Sequence, residues 1–278
     1  MNKVLLALAA MVAMLIVGCG GASLIDSPEI SMVVMDTASV AITWDEDTMI
    51  EGHADFQGYN VYVSVDSSDL LVEDGEDLNK FNADAITDLS YEVTGLSQDT
   101  VYYFQVRTVN VDDKVGVYND SVPFVEASPR PEFTATLSFE LDPANQNETE
   151  IALRFADAAK LDEVDGQIDS TADVFFDTYQ DSMTQVASPD NRTNPVQINP
   201  KHTVMVNMGQ MNFDDLSEAP STIDNANVDF EQGDLIVLKT EEGNYVKMHI
   251  DEVLKAQDWT VTVTYAYQNI ANYPHFSP

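Results

Sequence analysis

Four histidines, His53, His202, His249 and His275, are scattered along the chain. None stands in a His-Glu-x-x-His zinc pair, and the sequence contains neither a Gly-x-Ser-x-Gly nucleophile elbow nor a phosphate-cradling glycine loop. No nucleophile and base can be nominated together, so no catalytic residue is assigned and no enzyme is expected. Two neutral imidazoles could ligate a haem iron axially if folding brought them together. His202 and His249, in the strand-patterned C-terminal half, are the candidates for such cofactor contacts; the competing reading makes them partly exposed surface residues. Carboxylate pairs say nothing of a glycosidase, because with 48 acidic residues almost any cleft holds two. Glu73-Asp74-Gly75-Glu76-Asp77 offers hard oxygen ligands for calcium but lacks a recognisable loop spacing, and the run Leu161 to Asp169 lacks the alternating ligands and terminal Glu of an EF-hand. A solvated acidic loop is the alternative at the first of these. No cofactor is required by the residues; haem and calcium are the two that they would admit.

The chain has 278 residues, with 48 acidic against 12 basic and a formal net charge of -36. A phosphate backbone needs a local excess of Lys and Arg, so nucleic-acid partners are excluded, and anionic lipid surfaces are disfavoured for the same reason. At 44% hydrophobic the chain can bury a core, and its length suits two domains. The acidic excess is spread over both halves, which points to an environment and not to a site. In a saline habitat the self-repulsion would be screened within a few ångströms; a calcium-loaded surface is the competing explanation.

Residues 1-18 comprise a short n-region containing Lys3, an apolar run from Val4 to Val17, and Gly18. The run is too short for a permanent membrane span. Its end, Ile16-Val17-Gly18-Cys19-Gly20, resembles the lipobox of bacterial lipoproteins. That resemblance implies cleavage before Cys19 and acylation of Cys19, which becomes the new N-terminus and a partner of the lipid bilayer. An ordinary signal peptide with an incidental thiol is the alternative, but one cysteine forms no internal disulfide and no multi-thiolate site. Several acyl chains on one residue give stable anchoring where one is marginal. Gly20 at the following position, by the sorting rule of diderm bacteria, implies the outer membrane. Residues 19-27 would be a flexible tether, with the soluble domains outside the bilayer.

From Pro28 short alternating runs are separated by polar turns, as in an all-β sandwich. Val40, Ile42 and Trp44 alternate with Ala41 and Thr43; Tyr59 to Val63 and Tyr102 to Thr108 are further strands. Trp44, the Gly58-Tyr59-Asn60-Val61-Tyr62 run, and Gly95-Leu96 placed ahead of Tyr102 at the spacing of a tyrosine corner make residues 28-128 resemble a fibronectin type III domain. The resemblance implies a seven-strand antiparallel sandwich with Trp44 and Tyr102 in its core, and a spacer, adhesion or accessory role. The acidic stretch Asp66 to Asp88 is an insertion into that pattern.

Pro129-Arg130-Pro131, residues 129-131, reads as a stiff linker. A second antiparallel β domain is expected over 132-278. Phe133, Ala135, Leu137, Phe139 and Leu141 alternate with polar residues, as do Ile151, Leu153 and Phe155. Asp234 to Thr240 and Tyr245 to Ile250 flank the hairpin signal Glu241-Glu242-Gly243-Asn244, and Trp259, Val261, Val263, Tyr265 and Tyr267 then share one strand face. That face reads as core or as a ligand platform with His249 on the adjoining strand. This ending, with Asp173-Val174-Phe175-Phe176-Asp177, Met208-Gly209 and Phe213-Asp214-Asp215-Leu216 upstream, looks like HmuY-type surface lipoproteins, whose characterised members capture haem through a histidine pair.

The sequence therefore points to a non-enzymatic, lipid-anchored module at the bacterial outer membrane or cell surface, engaged in binding, adhesion or display. Its partner would be an extracellular protein, glycan or small ligand. Haem or small-ligand capture by the second domain, and calcium-dependent adhesion through the acidic loops, are the alternatives.

Overall fold

The computed structural model describes residues 22-139, 149-164, 167-179, 182-193, 196-255 and 259-276. The signal peptide over 1-18, the lipidation site Cys19 and the first part of the tether lie outside the described residues. Regular structure is almost entirely antiparallel strand, so the all-β expectation holds. By compactness the chain divides into two units. One runs to Ser31 and includes Thr43–Tyr91 and Tyr103–Val125; the other comprises Met32–Ile42, Glu92–Tyr102 and Glu126–Pro278.

The N-terminal strands are β1 (Ile30–Met35), β2 (Ser39–Trp44), β3 (Phe56–Ser64), β4 (Ser90–Thr94), β5 (Tyr102–Asn110) and β6 (Val125–Ala127). They form two three-stranded sheets, ordered β1-β2-β4 and β3-β5-β6. Six strands stand here where seven were expected. At the missing position the acidic insertion itself runs beside β3 and pairs with it through isolated bridges, Tyr62 with Lys80 and Tyr59 with Ile86, and not as a regular strand. Period-two alternation decides what is buried: Val40, Ile42 and Trp44 are all within 1% of full burial. The Trp44 ring meets Tyr59 edge-on at 5.2 Å, the geometry that aromatic quadrupoles favour. Tyr59 in turn donates its hydroxyl hydrogen to Glu51 of a four-residue helix, α1 (Thr48–Glu51), and burial pushes the phenol well above its ordinary pKa. Tyr102 corrects the expectation in part: it is half-buried, not core. Its hydroxyl accepts from the Ser97 amide at 3.0 Å, which is the corner that the spacing to Gly95-Leu96 implied.

The C-terminal strands are β7 (Glu132–Phe139), β8 (Thr149–Arg154), β9 (Ala159–Val164), β10 (Gln167–Ile168), β11 (Val174–Tyr179), β12 (Ser182–Ala187), β13 (Val204–Gln210), β14 (Asn227–Asp229), β15 (Asp234–Lys239), β16 (Tyr245–Lys255) and β17 (Trp259–Tyr267). A six-stranded sheet, β10-β9-β8-β11-β12-β14, and a five-stranded sheet, β13-β15-β16-β17-β7, share one apolar core. Leu153, Val174 and Phe176 enter it from the first sheet, Phe155 from the turn after β8, and Leu137, Leu238, Met248, Val263 and Tyr265 from the second. The expected β15-β16 hairpin turns at Gly243, whose φ of +91° lies where a side chain is disfavoured. The Tyr265 hydroxyl crosses the core to the Phe155 carbonyl at 3.1 Å.

The outer face of the five-stranded sheet buries a charge. Lys247 is fully buried, with its ammonium 4.3 Å from the Phe213 ring centre and 5.8 Å from that of Phe276, and it donates to the Leu216 carbonyl at 3.1 Å. Desolvation, aided by repulsion from Arg130, pushes its pKa down to about 8.

Two predictions follow from the packing. Trp44→Ala should lower stability by roughly 3-5 kcal/mol, and Tyr102→Phe by about 1 kcal/mol, both read from denaturant midpoints. Lys247 binds its proton less tightly folded than unfolded, so its contribution should rise between about pH 8 and its ordinary value near 10.5. Across that window the stability deficit of wild type relative to Lys247→Met should shrink, by up to about 3 kcal/mol, in paired unfolding curves. A deficit that stays constant with pH would mean that Lys247 is not the group responsible.

Candidate functional site

The structure does not bring His202 and His249 together. His249 sits on β16 opposite Leu235, and its ring is 2.7 Å from Asp251. It alternates with the core residues Met248 and Ile250, so it points away from the Trp259-Tyr267 row and that row is packing: these five side chains are at most 8% exposed. His202 precedes β13 at the opposite end of the same sheet, where Val204 pairs with Lys239; it is exposed and paired to Asp190 at 2.6 Å. About six residues of β15 separate the two positions, roughly 20 Å at a rise of about 3.3 Å per residue, far beyond the span of one iron. The expectation of haem held by His202 and His249 together is therefore corrected. His53 accepts from the Asp55 amide, and His275 faces Glu126.

Most side chains of the acidic insertion are exposed, as a solvated loop requires, but its main chain is pinned to the strands beneath it. Leu70 and Asn82 are buried, Leu70 accepting through its carbonyl from Gln105 and Arg107 of β5 and Asn82 bonding Val61 of β3. On that face Asn60 and Tyr62 of β3 stand across from Arg107 and Gln105 of β5, and all four are at most 4% exposed. Arg107 holds the insertion by its main chain. Its guanidinium donates to the carbonyls of Leu70 at 2.9 Å, Val72 at 2.8 Å and Glu73 at 3.3 Å, while Nε donates to Gln105 Oε1 at 2.7 Å. The same group stacks between the rings of Tyr62 and Tyr118. Gly75 lets the chain press onto it, since a Cβ there would stand 3.0 Å from Arg107 Nη1 and 2.5 Å from Val115 Cγ1. Asn82 anchors the far end: its Oδ1 accepts from Val61 N at 2.7 Å, and its Nδ2 donates to the Asp84 carbonyl at 2.7 Å and to Asn60 Oδ1 at 3.1 Å.

Several carboxylates of the insertion have structural partners. Asp66 accepts from Ser68 N and Asp74 from Glu76 N, each opening a short 3-10 turn, and Glu76 pairs with Lys114 at 2.6 Å. Among the described residues no three His, Cys, Asp or Glu side chains converge as a metal site. Between the insertion and β3 remains a groove of about 530 Å³, lined by Gln57, Asn60, Tyr62, Gly75, Glu76, Leu78, Lys80, Ala83, Asp84, Ala85, Val109, Asp113 and Val115. Its volume falls within the range of small-ligand sites. Tyr62 forms part of its floor, with burial raising the phenol pKa. Of these residues, Gly75 and Glu76 were read from the sequence only as part of a candidate calcium run, and Asn60 and Tyr62 only as strand residues; none was read as lining a groove. The available signal was Arg107 with Gln105, two large polar residues on the strand face left over after the core face is assigned, next to an insertion long enough to cover them.

Residues 26–116 match the fibronectin type III domain family, and that segment is a fibronectin type III β-sandwich. Three solved structures are similar to the chain or to parts of it. A Fn3-like protein from Clostridium thermocellum is 22% identical over 38% of this chain and 91% of its own, with a TM-score of 0.25. The FN5 domain of Drosophila Lar is 21% identical over 37% and 94%, also at 0.25. A cycloalternan-degrading enzyme from Trueperella pyogenes, solved with cycloalternan, is 10% identical over 84% of this chain and 31% of its own, at 0.23. No curated protein matches.

If Arg107 is the clamp, Arg107→Met should leave three carbonyls without their charged donor and lower stability by about 3 kcal/mol or more. It should also open Asp66 to Asp88 to limited proteolysis before the rest of the chain. Unchanged protection of that segment would show that the insertion is held by other contacts.

Proposed function

We propose that the chain is a non-enzymatic, surface-anchored lipoprotein whose β domains bind, adhere to or display something outside the cell. The reading is carried by the fibronectin type III domain that starts at residue 26, directly after the apolar run closing on Cys19. In this proposal residues 1-18 are the leader, acylated Cys19 holds the chain in the outer membrane or at the cell surface, and 28-128 and 132-278 are two domains joined at 129-131. No helix among the described residues is long and apolar enough to cross a membrane. The C-terminal domain is taken as HmuY-like on its strand and turn residues, without haem ligation by His202 and His249. The distribution of polar groups favours the insertion groove of the first domain as the binding surface, because the apolar row Trp259-Tyr267 is consumed by packing.

The decisive measurement is mass spectrometry of the membrane fraction. It should find an N-terminal peptide beginning at acylated Cys19, and Cys19→Ser should move the protein to the soluble fraction. An unmodified Cys19 peptide, or a wild-type mature chain already in the soluble fraction, overturns the anchoring.

A further inference from the structure

We infer that the groove between β3 and the Asp66-Asp88 insertion binds a neutral polyhydroxylated ligand, a sugar ring, an assignment that rests on reading the chain as a binding module. The floor supplies donors that the fold leaves underused. Asn60 and Tyr62 are 4% and 2% exposed, and the Tyr62 hydroxyl receives only a long bond, 3.4 Å, from Asn60 Nδ2. Among the described side chains nothing accepts the proton of that hydroxyl, so it is available to a ligand oxygen. Asp84, Asp113 and Lys80 line the groove as well, so residues with both acceptors and donors surround a ligand whose hydroxyls can do either. Leu78 and Val115 add an apolar wall against which the C–H face of a ring can lie.

The competing ligand classes fit less well. An anion would meet Glu76, Asp84 and Asp113 on a chain of net charge -36. An organic cation would seek an aromatic face, but the face of Tyr62 is already taken by Arg107 at 5.8 Å. A flat apolar ligand would strand the buried amide and phenol without partners.

The test is saturation-transfer NMR on the full-length Cys19→Ser chain, with D-glucose, D-galactose, D-mannose and N-acetylglucosamine as probes at millimolar concentration and choline as the cationic control. At least one sugar should receive transfer, and choline should not. Asp84→Asn with Asp113→Asn, two positions outside the core, should weaken the responding sugar about tenfold with the thermal midpoint held, and Tyr62→Phe should weaken it as well. No transfer to any of the four sugars, transfer to choline in their place, or an unchanged response in the double variant would each overturn the assignment. These outcomes are separate from acylation of Cys19, which is read independently from the membrane fraction.

Discussion

A single buried guanidinium organises the first domain's outer face. A strand pair that presents Asn60, Tyr62, Gln105 and Arg107 to one side would ordinarily leave that side in water, because large polar groups lose more by desolvation than they gain by contact. Here Arg107 reverses the balance. Its donors reach three carbonyls of the insertion, those of Leu70, Val72 and Glu73, and charged hydrogen bonds are the strong class. Three carbonyls of the insertion are thereby satisfied where it has no strand partner, before its later part reaches β3 through main-chain bonds at Phe81 and Ile86. Burial lowers the affinity of Arg107 for its proton, yet arginine remains charged, and the two tyrosine rings shield the faces that the carbonyls do not reach. The groove is a by-product of this arrangement: the clamp fixes one part of the insertion and Asn82 another, and residues between them line it.

The C-terminal body is held by closure of distant segments. β7 and β17 pair along eight positions, from Phe139 opposite Trp259 to Glu132 opposite Ala266, so the start and the end of the body lie side by side. Such pairing costs loop-closure entropy before it returns any contact. It is offset by a row of apolar side chains that have no other place to go. Arg130 reinforces the closure from outside the strands, donating to the Phe276 carbonyl and pairing with Glu132.

What could be read from the residues was whatever strict alternation controls. The strands around Trp44, Tyr59, Tyr102, Phe133 and Ile151 and the closing hairpin were legible, because one face of each is apolar and a one-residue slip would expose all of it. The core character of the Trp259-Tyr267 row was legible for the same reason. Strands β9, β10, β12 and β14 were not. They are short or mixed in polarity, as in Ala159–Val164, and are fixed by neighbours in the six-stranded sheet more than by their own pattern. The groove was hidden for a different reason: Gln105 and Arg107 look like solvent-facing residues on any single strand, and only the insertion's path makes them buried. The histidines failed as a pair because spacing in sequence says nothing of position along a sheet. His249 lies on β16 opposite one end of β15, and His202 just before β13 beyond the other.

The acidic composition divides into two parts with different physics. Some carboxylates are structural acceptors: Asp47 caps α1 through Met49 N, Asp66 and Asp74 open 3-10 turns, and Asp169 holds Thr171 through both its amide and its hydroxyl. Those hydrogen bonds hold the Asp66 and Asp169 carboxyls below their ordinary pKa, so the positions require an acceptor and no lysine could replace them. Caps of this kind work at any ionic strength, because the contact is a direct hydrogen bond and not a long-range field. The remaining surface carboxylates, unmatched by 12 basic residues, act only through repulsion, and that part alone depends on the salt around the protein. A local need for caps explains why Asp is dense in the turns of this chain. It does not explain why so few Lys and Arg accompany it, and screening by a saline medium remains the physical condition under which that imbalance costs least.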